Sequence, residues 1–148
     1  MIIGYAPGVY DMFHIGHLNI LRQAAEQCDK LIAGVVSDEM ALATKGRLPI
    51  IPLEERLQIV RSIDCVGDVW AETVPDKMDT WRDVRFNVLF KGDDWRGTEK
   101  GRRLEESFAT VGVEIVYFPY TLHTSSSTLR AALEVLTRPA SSEAAVDQ

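Results

Sequence analysis

Four residues near the start of the chain, His14-Ile15-Gly16-His17, are the ones whose types and spacing could do chemistry. Two imidazoles three positions apart share one face of a helical turn, so both can reach the same ligand group. They follow a short apolar run, Ile2 to Ala6, and the Pro7-Gly8 break. They precede Leu18, Ile20, Leu21, Ala24 and Ala25, which recur at helical spacing. A strand, a glycine turn and a helix start gather unpaired backbone N–H groups and the positive end of a helix dipole, and an anion such as phosphate is the expected occupant. Gly8 and Gly16 allow the backbone to come close. By itself a His-x-Gly-His is most often a solvated helix start, but the place after a first strand is where a ligand site belongs. A zinc pair would want a third ligand. The sequence offers no His-x3-His pair, no Cys-x2-Cys and only His123 besides, so no metal ligands are assigned.

The elements that must position these histidines alternate. Lys30 to Val36 reads as a strand buried on both faces, and Ser37 caps a short helix from Asp38 to Ala43. Residues 44–52 form a basic loop with Lys45, Gly46 and Arg47, suited to closing on a phosphate, and Pro52 introduces a helix carrying Leu53, Leu57, Ile59, Val60 and Ile63. Strands are expected at Val66 to Ala71, Asn87 to Phe90 and Glu114 to Phe118, with helices over Asp76 to Arg85 and from a Thr98 cap to Ala109. Lys91 to Gly97 is a polar loop after the fourth strand, where a binding loop belongs. Ser125, Ser126 and Ser127 open a last helix, Thr128 to Leu136. The pattern predicts an α/β, Rossmann-like, doubly wound parallel sheet of five strands with helices on both faces and ligands at the carboxyl ends of the strands. One domain, residues 1–137, is expected, with a mobile tail over 138–148.

Composition narrows the partners. A formal net charge of −6 over 148 residues argues against nucleic acid or an anionic membrane, which both need a basic face. Cys28 and Cys65 sit among apolar residues and read as reduced buried thiols, in keeping with a cytoplasmic protein. Met1 leads straight into a strand, so no signal peptide is read, and no apolar run approaches spanning length.

Four segments resemble the cytidylyltransferase branch of the HxGH nucleotidyltransferases, above all the glycerol-3-phosphate cytidylyltransferases. Gly8-Val-Tyr-Asp-Met-Phe-His-Ile-Gly-His17 resembles the Gly-Thr-Phe-Asp-x-x-His-x-Gly-His signature. Gly92-Asp-Asp-Trp95 resembles the loop of the glycerol-phosphate members. Lys45 with Pro52-Leu-Glu-Glu-Arg56 resembles the phosphate-gripping lysine and the helix after it, and Thr121 to Arg130 resembles the family's Arg-Thr-Glu-Gly-Ile-Ser-Thr-Thr segment. The resemblance implies that His14 and His17 bind a triphosphate and stabilise its transition state, with Lys45 neutralising charge. It implies nucleotide-binding roles for Gly8, Val9, Tyr10, Asp11 and Gly16, for Gly92, Asp93, Asp94 and Trp95 at the base and ribose end, for Tyr120, and for Ser125, Ser126 and Ser127 at the β- and γ-phosphates. It further implies CTP and a small phosphorylated acceptor as substrates, Mg²⁺ carried by the triphosphate, a homodimer, and a place in teichoic acid or phospholipid precursor synthesis.

The sequence departs from the family pattern at Tyr120, where an Arg stands, at Leu122-His123 in place of Glu-Gly, at Asp64 in place of another Arg, and at Val9 in place of Thr. Two missing guanidinium groups predict weaker binding of phosphorylated ligands. The expected reaction is cytidylyl transfer to glycerol 3-phosphate. The alternatives are transfer to choline or ethanolamine phosphate, adenylyl transfer to a sugar phosphate, and, in another class, a nucleotide-binding regulator without turnover.

Overall fold

Among the described residues five runs become strands: β1 (Ile3–Gly8), β2 (Lys30–Val36), β3 (Asp68–Glu72), β4 (Val88–Gly92) and β5 (Glu114–Phe118). Every pair is parallel, and the order across the sheet is β3-β2-β1-β4-β5. This is a computed structural model, which describes residues 1–120 and 124–138. Leu122, His123 and the segment from Pro139 onward, of which the sequence raised expectations, lie outside the described residues.

Among the described residues five helices join the strands, α1 (Ile15–Ala25), α2 (Asp38–Lys45), α3 (Leu53–Arg61), α4 (Lys77–Val84) and α5 (Glu99–Ala109), and α6 (Ser126–Thr137) follows β5. Ser37, Thr98 and Ser125 each accept a backbone N–H at a helix start, as their place in the sequence predicts, and Asp76, expected inside its helix, is the N-cap of α4. One face of the sheet buries Ala6, Leu21, Ala24, Ala33, Val35, Val60 and Phe90, drawing on α1 and α3. The other buries Tyr5, Leu89 and Phe108, with Met78, Trp81 and Leu104 of α4 and α5 packed against them. The five-stranded Rossmann-like architecture with covered faces is therefore the one expected.

Boundaries differ in instructive ways. β1 runs through Pro7 to Gly8 instead of stopping at Ala6. By Pro7 the ladder to β4 has ended at Tyr5↔Leu89, so the strand is paired on one side only and tolerates a residue without an N–H. α2 includes Lys45 and closes at Gly46, whose φ of 76° suits a left-handed helix end. Lys45 thus stands on a helical turn, not in a loose loop. After β1 the chain winds outward through β2 to β3, then crosses back to β4 on the far side of β1. That reversal leaves a crevice at the carboxyl ends of β1 and β4.

Candidate active site

A cavity of about 390 Å³ opens in this crevice. Its wall begins at the end of β1 with Gly8, Val9, Tyr10 and Asp11, continues through His14, Gly16 and His17, takes in Lys45 and Arg47, and closes with Lys91, Gly92, Tyr120, Ser125, Ser126, Ser127 and Arg130. The glycine–histidine turn, the end of β4 and the serine helix start, far apart in sequence, therefore face one space.

The histidines are held by the backbone they cap. His14 is extended, at φ −140°, and is the N-cap of α1 instead of a member of its first turn. Its Nδ1 accepts the Gly16 amide at 3.0 Å, while Nδ1 of His17 accepts the His14 amide at 3.2 Å. This is a reciprocal capping box built from two imidazoles. With each Nδ1 an acceptor, a neutral ring carries its proton on Nε2, and both Nε2–H groups remain as donors toward the cavity. The ring centres are 4.0 Å apart. Burial, then the neighbouring His14, pushes the His17 pKa down to about 3 against a weaker upward pull from Asp11. Burial lowers His14 as well. The pair works as two neutral hydrogen-bond donors. Two of the amides expected to seat an anion are taken by the imidazoles, which present the ligand-binding N–H groups in their place.

Asp11 sits at the centre of a bracket. Its buried carboxylate accepts the amides of Ile50 at 2.8 Å and Ile51 at 2.9 Å, and pairs with Arg130 at 2.7 Å. Its carbonyl accepts the Ser126 hydroxyl at 2.6 Å. One residue thus joins the β1–α1 turn, the 46–52 loop and the start of α6. The residues on either side of it, Tyr10 and Met12, lie in the left-handed region at φ 55° and 48°, an uncommon conformation for non-glycine residues. Tyr10 is buried, and its hydroxyl donates to the Ala6 carbonyl at 2.8 Å. Arg56 fixes the same turn from below: 1% exposed, it donates to the carbonyls of Val9, Val36 and Ile51 and pairs with Asp38 at 2.5 Å.

On the opposite bank Gly92 passes under Tyr120. A Cβ at Gly92 would lie 2.4 Å from the tyrosine ring, so any side chain there would push the ring from its place over the strand end. The Tyr120 hydroxyl donates to Asp94 at 2.9 Å, and burial with that carboxylate pushes its pKa up to about 12. Asp93, Asp94 and Trp95 form a single 3-10 turn and do not line the cavity; Trp95 instead receives the Lys91 ammonium on its ring face at 3.8 Å. Of residues 92–95 the cavity wall takes Gly92 alone. Ser125 accepts the Thr128 amide at 3.1 Å as the N-cap of α6, so its hydroxyl and that of Ser126 are in use while lining the cavity. Ser127 is exposed.

Two expectations about charge change. Asp64 is exposed and lies away from the cavity, so it does not reverse the charge there. Tyr120 replaces a guanidinium, yet Arg130 and Arg47 bring guanidinium groups to the same wall. Sequence reasoning gave Arg130 no role. Its place four residues after Ser126 puts both on one helix face, which was the available signal. Lys91, expected only as the first residue of a polar binding loop, stands inside β4 one residue before its end and lines the cavity. The wall's polar side chains are chiefly cations and hydrogen-bond donors that suit phosphate oxygens, and its one carboxylate among the described residues, Asp11, is engaged by Arg130 and two amides. A magnesium ion arriving on a triphosphate fits such a wall, since the phosphates would hold it.

Residues 5–142 match the family model described as cytidylyltransferase-like. Ethanolamine-phosphate cytidylyltransferase of Arabidopsis thaliana is 38% identical over 95 residues, covering 61% of this chain and 22% of that protein. FAD synthase of Pyrococcus abyssi is 34% identical over 116 residues, covering 76% of this chain and 77% of that one. The chain therefore spans about a fifth of the first relative and about three quarters of the second. The crystal structure of a lipopolysaccharide core biosynthesis protein from Thermoplasma volcanium shares the fold, with a TM-score of 0.70, 24% identity, and coverage of 84% of this chain and 99% of that one.

Proposed function

Because the chain belongs to the cytidylyltransferase-like family, we propose that it transfers a cytidylyl group from CTP to the phosphate of a small phosphorylated alcohol and releases pyrophosphate. The observation that carries this reading is the pair of neutral imidazoles, each locked through Nδ1 and presenting Nε2–H to a cavity that also holds Lys45 and the start of α6. An acceptor phosphate is a dianion near neutral pH and needs no base. One of its oxygens attacks the α-phosphorus in line, a new P–O bond forms, and the bond to the β-phosphate breaks with pyrophosphate leaving. Catalysis then consists of positioning and of stabilising charge on the phosphate oxygens. Lys45 supplies a full charge; the imidazoles supply fixed donors that need no reorganisation. Magnesium carried by the triphosphate would add neutralising charge.

Glycerol 3-phosphate is the acceptor favoured by the Gly92-Asp-Asp-Trp95 resemblance, and ethanolamine phosphate is favoured by the Arabidopsis relative. A second reading, adenylyl transfer from ATP, is favoured by the FAD synthase relative, which matches more of both chains. A homodimer working in the cytoplasm on teichoic acid or phospholipid precursors accords with the first reading.

Pyrophosphate release with Mg²⁺ tests the choice. CTP and ATP are each paired with glycerol 3-phosphate, ethanolamine phosphate, choline phosphate, flavin mononucleotide and a sugar phosphate. Release with CTP and an alcohol phosphate is expected. Preference for ATP would replace the cytidylyl assignment, and no release with any pair would favour a regulator without turnover.

A further inference from the structure

Lys91 differs from the other sheltered cations. Arg56 pairs with Asp38, Lys77 with Glu72 and Arg130 with Asp11. Lys91, half-buried at the carboxyl end of β4, forms no ion pair among the described residues. The two carboxylates whose fields reach it are committed elsewhere. Asp94, on the 3-10 turn, accepts from Tyr120, and the buried Glu72 of β3 accepts from Lys77 of α4 at 2.8 Å and from Tyr5 of β1 at 2.9 Å. Lys77 and Lys45 of α2 repel it. The Trp95 ring, which Lys100 of α5 also approaches at 5.8 Å, holds the ammonium in place without cancelling its charge. His14 and His17 face the same cavity as neutral rings.

We propose that Lys91 receives a substrate phosphate from the β4 side of the cavity, completing with Lys45 a two-lysine clamp; this rests on the nucleotidyl-transfer reading. A sheltered cation without an anion is costly and is relieved when one binds. A compact ammonium suits a phosphate oxygen, and two lysines on one cavity suit a group carrying two charges. Burial first, then Lys77, with Lys45 adding a smaller push, lowers the Lys91 pKa to about 8 against the upward pulls of Asp94 and Glu72. A bound phosphate reverses that balance, so binding in mild alkali must take up a proton at Lys91.

Calorimetry at pH 8.5 in two buffers of different ionisation heat reads this directly, using CTP, ATP, glycerol 3-phosphate and ethanolamine phosphate as probes. Wild-type protein is expected to take up about half a proton or more with at least one probe, since Lys91 is largely neutral there. Lys91→Met should weaken that probe about tenfold or more, the effect of losing one charge-assisted hydrogen bond. Lys91→Arg should keep affinity within about threefold while abolishing proton uptake, because a guanidinium does not titrate. Weakening confined to the nucleotides places the lysine on a nucleotide phosphate, and weakening confined to the alcohol phosphates places it on the acceptor. Unchanged affinity of Lys91→Met for all four probes, no lysine-dependent binding at all, or uptake persisting in Lys91→Arg overturns the proposal. Turnover is not required: Lys91-dependent proton uptake without pyrophosphate release would sink the catalytic reading and leave this one standing.

Discussion

Two regions of the cavity wall are built on different length scales. On the α1 bank, His14 and His17 cap one another's backbone within four consecutive residues. The bracket around Asp11 instead spans separations of 39, 40, 115 and 119 residues to Ile50, Ile51, Ser126 and Arg130. The local device survives as long as the helix start does. The long-range one exists only in the finished fold, and it sets where the loop and the serine helix stand relative to the imidazoles. Chemistry and stability should therefore separate between these two regions, and substitutions can break that separation.

The largest loss of stability is expected at Arg56. Arg56→Ala leaves Asp38 and three carbonyls without their donor and should cost about 3–5 kcal/mol in denaturant unfolding, as removing one partner of a buried pair does. A cost below about 1 kcal/mol would mean the clamp is not a buried network. Next, His14→Ala and His17→Ala should each lower kcat about 10²–10³-fold, the usual loss for a fixed donor at a developing charge, while costing only about 1 kcal/mol of stability as lost caps. Equal losses in rate and stability would erase the contrast between chemistry and scaffold. Asp11→Asn should behave the other way, costing about 2–3 kcal/mol through its buried charged hydrogen bonds and loosening nucleotide binding through the 46–52 loop, read as a raised KM.

A smaller effect concerns acid. His17 holds a proton in the folded protein only near pH 3, against 6.5 for an ordinary histidine. Between those values the unfolded chain binds the extra proton, so this stability is complete above about pH 6.5 and is lost as pH falls toward 3, by at most about 1.4 kcal/mol per pH unit. The fall in Tm from pH 6.5 to 4.5 should shrink in His17→Gln, whose amide oxygen can still accept the His14 N–H; an unchanged slope would show that the imidazole is not held neutral. Smallest is Tyr120→Phe, which removes the hydroxyl bonded to Asp94 and should cost about 0.5–1.5 kcal/mol, with a clear rate change marking Tyr120 as a substrate contact.

The same contrast explains how much was legible in the chain. Strand and helix periodicity, the caps at Ser37, Thr98 and Ser125, and the His14–His17 turn are short-range patterns, and their places in the fold follow them closely. The resemblance treats Gly92 to Trp95 as one binding unit, but alternation along β4 and the turn after it send Gly92 to the cavity and Trp95 to Lys91. Arg130 offered only a helical spacing from Ser126, and Asp64 was judged by its place in a pattern, not by its exposure.

The sequence by itself determined that two imidazoles stand at a helix mouth after the first strand of a parallel α/β sheet, because local hydrogen bonding and side-chain periodicity are written over a few residues. Only the tertiary structure decided which charges share the cavity. Ion pairing depends on distance in space: Arg130 finds Asp11, Arg56 finds Asp38, and Lys91 is left with an aromatic face and no carboxylate to neutralise it among the described residues.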